Sequence, residues 1–209
     1  MAVCALTASA FAQGTVVFQN LTGQIKQWTS ASDATLIASP KGAFTVDLIS
    51  AASGIALPNP LGAYNASGNF VVNPSYTTLA TWLAANPGWS SDAVGGTSSV
   101  NGIFNNGTVS LIGIPGTATS AQYLIVGWAS TAVDLDHAIA NKDWIGESAI
   151  FTTTVGNPDL TPPGVATSLK ATFTGMTLAP SGTATVPEPA TFALFGLGAA
   201  ALLIFRRRN

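Results

Sequence analysis

The sequence is short of the residues from which most chemistry is built. Across 209 residues it holds one histidine, one cysteine, seven basic and nine acidic side chains, so that only 8% of the chain is charged. An ordinary soluble domain carries about 25%, and this surface must therefore rest on Thr, Ser, Asn, Gln and Gly. One His and one Cys exclude a Cys/His zinc site, an iron–sulfur cluster and a disulfide framework within a single chain. A net charge of −2 and a pI near 5.0 exclude the clustered basic face that displaces counterions from nucleic acid. Gly95-Gly96 sits in a Ser/Thr/Gly-rich stretch without the lysine of a phosphate-binding loop. No cofactor is expected. No internal repeat stands out, and the length suits one domain with appended segments.

What charge there is divides by position. Arg206, Arg207 and Arg208 crowd the C-terminus, leaving four lysines against eight acids before Pro187, a net of −4 for the body. The tail runs Val186-Pro187-Glu188-Pro189, then sixteen uncharged, mostly apolar residues from Ala190 to Phe205, then the arginines. As a helix that run spans ~24 Å, a little short of a ~30 Å hydrocarbon core, and the arginines can snorkel to make up the difference. The positive-inside rule places them in the cytoplasm and the body outside. Gly196 and Gly198 leave a patch where another helix can approach closely. Three consecutive arginines closing an apolar run make a poor buried core helix, the plainer alternative. At the other end, Ala2 to Ala10 are small or apolar, and Ala10-Phe11-Ala12 has the small-x-small form of a signal-peptidase site before Gln13. No basic residue precedes this stretch, so the signal is expected to be truncated at its start. Cleavage between Ala12 and Gln13 would remove Cys4.

A Pro-Glu-Pro triplet, a short apolar helix and a terminal arginine cluster, in that order, resemble the PEP-CTERM sorting signal of Gram-negative bacteria. Pro187, Glu188 and Pro189 match the triplet and Arg206, Arg207 and Arg208 the basic end. The resemblance covers about residues 186–209. It implies a passage through the inner membrane, recognition by an exosortase-type membrane protease, a cut near the triplet, and delivery to the cell surface or extracellular matrix, often beside exopolysaccharide. The prolines suit this, because they deny the segment a regular helix or ladder and leave it extended for a protease. A looser resemblance, carried by Gly14-Thr15-Val16-Val17-Phe18-Gln19-Asn20 and Gly127-Trp128-Ala129-Ser130, is to the bodies of such proteins in Verrucomicrobia-like bacteria; it implies no activity.

The body reads as short β segments, rich in β-branched and aromatic residues and punctuated by Gly, Pro and Asn. Strands are expected at Thr15–Gln19, Ala43–Ser50, Asn69–Val72, Thr108–Ile114, Gln122–Ala129, Ala149–Val155 and Ser168–Leu178. Phe44, Val46 and Leu48 alternate with Thr45, Asp47 and Ile49, period two with one lapse. Asn106-Gly107 predicts a tight hairpin. One helix is expected, with Ser75 as N-cap, over Tyr76 to Ala85, stopped by Asn86-Pro87-Gly88. The expectation is thus a mostly β fold: a signal peptide over residues 1–12, a single antiparallel β-sandwich (jelly-roll or immunoglobulin-like) over 13–178 with one short helix, a linker over 179–186, and a sorting tail over 187–209 containing a transmembrane helix over 190–205.

Candidate chemistry is sparse. Asp134-Leu135-Asp136-His137, followed by Asp143 and Glu147, is the densest polar cluster. Asp134 and Asp136 could offer oxygens to calcium, but the EF-hand spacing is absent, and a solvated loop with helix-capping aspartates is the better reading. His137 has no Gly-x-Ser-x-Gly nucleophile to serve. Asp136 or Asp143 with Glu147 is the sole crowded acid pairing for glycoside hydrolysis, which needs two carboxyls about 5–9.5 Å apart. A non-catalytic structural or adhesive body is therefore expected. The alternative is a carbohydrate-binding module of the exopolysaccharide matrix. Of the five tryptophans, Trp82 and Trp128 fall in regular elements and read as core, whereas Trp89 and Trp144 read as loop residues free to stack on a glycan.

Overall fold

Two stretches, Phe44–Ala52 and Ser120–Ala129, are buried along almost their whole length, as strands are when both faces of a sheet are covered. The structure, a computed structural model, describes residues 13–21, 24–30, 33–95 and 100–181. In chain order its elements are β1 (Gln13–Gln19), β2 (Ile25–Ser30), β3 (Asp33–Ala38), β4 (Phe44–Ala52), β5 (Gly62–Tyr64), β6 (Phe70–Val72), α1 (Leu79–Ala85), β7 (Trp89–Gly95), β8 (Asn105–Pro115), β9 (Ser120–Ala129), α2 (Leu135–Asn141), β10 (Trp144–Glu147), β11 (Phe151–Thr154), β12 (Thr167–Ser168), a 3₁₀ turn at Leu169–Ala171, and β13 (Met176–Pro180). The described residues are mostly β, with two short helices and more than one sheet.

The large sheet has the order β3-β2-β13-β10-β9-β4-β7, with β11 pairing β9 as well; a small sheet has the order β12-β1-β8; β5 and β6 form a separate hairpin. Pairing is antiparallel except for β1 with β12 and β13 with β2, which run parallel, so the sheets are not purely antiparallel as expected. Phe44, Val46 and Leu48 of β4 pack with Val16 and Phe18 of β1 and Leu111 and Ile114 of β8. On the opposite face, Ile49 and Ala51 join Leu61, Phe70, Trp82, Leu135 and Ala138, contributed by the helices and the β5–β6 region. This second layer explains the lapse at Ile49: that face meets protein, not water. Fully burying a large apolar side chain is worth about 1.5–3 kcal/mol, so Phe44, Val46, Leu48 and Ile49 together supply roughly 6–12 kcal/mol before entropy is counted.

Several local expectations are corrected. Asn106-Gly107 does not turn a hairpin. Thr108 lies opposite Val17 and Asn105 opposite Gln19, so four residues of β8 span three of β1 in a bulge. Gly107 has φ 70, and its N–H donates to Asn105 Oδ1 at 3.2 Å; the same tolerance of positive φ that makes a hairpin turn serves a bulge. The expected strand over 168–178 is split by the 3₁₀ turn, which Ser168 caps by accepting from Lys170 N. Helix α1 starts later, on Thr78, whose side chain and backbone exchange bonds with Thr81 in a capping box; Ser75 N–H instead donates to Asn73 Oδ1 in a turn. α2 was not anticipated as a helix. β13 runs through Ala179 and Pro180, residues assigned by sequence to the linker. Among the described residues no helix is long and apolar enough to cross a membrane; the expected transmembrane helix over 190–205 lies outside them, as does the signal peptide.

Candidate functional site

The second layer covers the middle of the large sheet but stops before its β3 end. Cross-strand register sets Trp28 opposite Leu36 and Lys26 opposite Ala38, with Thr177 of β13 beside Lys26. Alternation of side chains along each strand places Lys26, Trp28, Ala34, Leu36 and Thr177 on the face that carries the helices elsewhere. The β5–β6 hairpin ends alongside, so its Tyr64 and Gly68 form a wall and the three strands a floor. The result is an open hollow of about 290 Å³ lined by Trp28, Ala34, Leu36, Tyr64, Gly68 and Thr177. A second hollow of about 420 Å³ shares Leu36 and Thr177 and adds Gln24, Lys26, Thr174 and Met176. The two make one groove, apolar at one end and polar at the other.

Each wall residue is fixed by local chemistry. Asn65 Oδ1 accepts from Ser67 N and Asn69 N at 2.9 and 3.0 Å, closing the hairpin turn. Gly68 there has φ +81, and a Cβ would come within 2.8 Å of the Trp28 ring, so only glycine lets the turn close over the indole. The Tyr64 ring meets Phe70 edge-on at 5.2 Å, its hydroxyl donates to Thr177 O, and 42% of the residue stays exposed. Burial pushes that hydroxyl up to about 12. Glu147 Oε2 accepts from Leu61 N at 2.9 Å and Gly62 N at 3.4 Å, tying the base of the wall to β10. Burial raises the Glu147 carboxyl to about 7, with those two amide bonds opposing.

A second group of acids lies where β4, β7 and β8 meet. Asp47 is fully buried and accepts from one donor, Ser91 Oγ, at 2.8 and 3.0 Å to its two oxygens. Asp92 accepts from Ser50 Oγ and, at 2.7 Å, from Ile112 N. Burial raises both: Asp47 to about 7, against the Ser91 bond and with a contribution from the Asp92 charge, and Asp92 to about 6, against its two hydrogen bonds. These carboxyls are structural cross-links between neighbouring strands. An acid at the centre of the apolar run Phe44–Ala52 is the signal by which Asp47 could have been found.

The residues singled out from sequence do not converge. Asp134 caps α2, accepting from His137 N at 2.8 Å and meeting His137 Nδ1 at 2.7 Å on the exposed surface; the capping reading fits this geometry. Asp136 Oδ1 accepts from Leu79 N at 2.6 Å and clips α2 to the start of α1. Asp143 contributes its carbonyl, which accepts from Ser181 N. Among the described residues, no group of three or more His, Cys, Asp or Glu is placed to hold a metal ion. Trp89 is not a loop residue: it opens β7, is 5% exposed, and donates through Nε1 to Ala56 O at 3.0 Å. Trp144 opens β10, half-buried against both apolar clusters. The stop at Asn86-Pro87-Gly88 does precede Trp89, but each indole opens a strand and does not lie in a loop. Trp28, to which sequence assigned no role, is the indole that reaches the groove. Gln13 is the exposed first residue of β1. Ala12, Pro187, Glu188, Pro189, Arg206, Arg207 and Arg208 lie outside the described residues.

Comparison with known proteins speaks to the tail. Residues 185–208 match the PEP-CTERM protein-sorting motif, which implies exosortase processing and export to the cell surface through membrane-associated sorting. No curated protein and no solved structure matches the chain, and no relative supports the looser Verrucomicrobia-like resemblance of the body.

Proposed function

We propose that this chain is an exported protein whose tail takes it into the inner membrane with Arg206, Arg207 and Arg208 in the cytoplasm. An exosortase-type membrane protease then cuts near Pro187-Glu188-Pro189 and releases a sandwich-type body to the cell surface or extracellular matrix. There the body has a non-catalytic structural or adhesive role. The match over residues 185–208 carries this reading. Support comes from the chain's last described strand, β13, ending at Pro180, so that only a few residues separate the body from the triplet. At the other end, signal-peptidase cleavage after Ala12 would leave Gln13, an exposed residue of β1, at the mature N-terminus.

The test is the intact mass of the mature protein from its native host, measured on separated cell fractions. A body in the outer or medium fraction, beginning near Gln13 and ending near Pro187, is the expected result. A species in the inner membrane that retains Arg206–Arg208 would overturn it. The second reading, a carbohydrate-binding module of the exopolysaccharide matrix, is favoured by the groove beside Trp28 and Tyr64 rather than by Trp89 and Trp144.

A further inference from the structure

We infer that the groove over β3, β2 and β13 is a binding site for an uncharged glycan chain, with Tyr64 as its stacking platform and Leu36 and the edge of Trp28 as its apolar floor. The inference deepens the carbohydrate-binding reading and rests on it. A sugar ring presents C–H groups on its faces and hydroxyls around its rim. It is met best by an aromatic face with neutral hydrogen-bonding groups to the side. The apolar hollow offers the half-exposed ring of Tyr64 and the exposed side chain of Leu36, with only an edge of the 6% exposed Trp28 beneath them. Past Leu36 and Thr177, the polar hollow offers Gln24, Thr174 and Lys26.

Charge complementarity selects the class of occupant. Among the described residues lining the two hollows none is acidic, and Lys26 is the one charged side chain. The body around it carries a net negative charge, which disfavours a polyanion. Extent selects a chain over a single sugar: the two hollows, about 290 and 420 Å³, run together across three strands spaced about 4.8 Å apart. The platform is built to hold its place. Tyr64 is pinned at its hydroxyl by Thr177 and at its ring by Phe70, and the chain before it is tied down by Glu147, so little ordering is left to do on binding.

The test is native electrophoresis of the full chain, in mild detergent, through gels cast with hydroxyethyl cellulose, with dextran, or with alginate. Retardation by a neutral polymer and not by alginate is expected. Tyr64→Ala should weaken that retardation about tenfold in apparent affinity, and Tyr64→Phe should preserve it. Leu36→Glu, at a position 48% exposed and therefore safe for folding, should abolish it with an unchanged circular dichroism spectrum. If the wild type is retarded but both Tyr64→Ala and Leu36→Glu bind normally, the groove assignment fails and the carbohydrate reading survives. If no polymer, neutral or acidic, retards the wild type, both fail. Retardation by alginate alone, lost in Lys26→Gln, would replace the uncharged occupant with an acidic one. Concentration-dependent dimerisation abolished by Leu36→Glu, without glycan retardation, would instead make β3 an edge for a second copy.

Discussion

The two ends of the large sheet solve opposite problems with one backbone pattern. At the β9-β4-β7 end both faces are covered, by the small sheet on one side and by the helices and the β5–β6 region on the other. Polar groups trapped there gain most from partners inside the protein, and two pairs, Ser91 with Asp47 and Ser50 with Asp92, bond across β4 and β7. At the β3 end the covering layer stops, and the burial pattern of β3 is exposed along nearly its whole length. Covering a sheet on both sides produces stability and consumes side-chain chemistry. Leaving an end uncovered forfeits some stability and leaves aromatic and polar groups for something else. Glu147 stands at the join, its strand in the covered sheet and its carboxylate on the amides of the groove wall.

The contrast is sharpest in truncation. Trp82→Ala, removing a side chain 1% exposed that also donates from Nε1 to Asn59 O at 2.8 Å, should cost about 3–5 kcal/mol, read as a fall in the urea midpoint. A loss below about 1 kcal/mol would mean that the second layer is not a true core.

The second break is made with pH. The folded-state carboxyls of Asp47, Asp92 and Glu147 are raised to about 7, about 6 and about 7, above their values in the unfolded chain. The folded protein therefore holds protons that the unfolded chain has released. The stability they contribute is complete below the unfolded values near 4 and is lost as pH rises through 6 to 7. Stability should accordingly increase by a few kcal/mol between pH 8 and pH 4, the reverse of ordinary acid denaturation, and Asp47→Asn should flatten the slope. Asp33 and Asp134, exposed and lowered by bonds from Thr35 and His137, work in the opposite sense and only below their ordinary range. A urea midpoint that is level or falls on acidification would break the comparison at the covered end.

Smaller effects follow toward the surface. Asp134→Ala removes the α2 cap and should cost about 1 kcal/mol, seen as a modest drop in Tm. Leu36→Ala, at the open end, should change stability by no more than about 0.5 kcal/mol. A larger loss in the same melt would show that β3 is covered by something in solution.

How far the sequence could be read depended on the range over which each feature is determined. The sorting tail is local, its three parts adjoining, and so it was legible whole. β1, β4, β8, β9 and β11 were found because β-branched and aromatic runs carry their own signal. β2 and β3 were missed: Lys26, Gln27, Thr29 and Ser30 dilute the one, and the other has no buried face to impose a period. Ile49 looked like a lapse because no residue near it announces that a second layer lies above. The groove was illegible for the same reason. Trp28 and Trp89 are buried to the same degree, 6% and 5% exposed; that an edge of Trp28 lines a hollow while Trp89 is closed off depends on where the β5–β6 hairpin ends and on Ala56 reaching the Trp89 indole, contacts between segments far apart in sequence.

The place where the chain leaves the body also has a mechanical meaning. β13, the last described strand, is not at a sheet edge; it lies between β2, which it joins in parallel, and β10, which it joins antiparallel. Ser181, just beyond it, is fastened through its N–H to the carbonyl of Asp143 at 2.9 Å. A pull on the tail, before any cut or against any attachment to the envelope, therefore loads two ladders along their length at once. Rungs loaded in this way share the force instead of opening one after another like a zipper. The body is hung from a strand gripped on both sides, not from one that can be peeled off an edge.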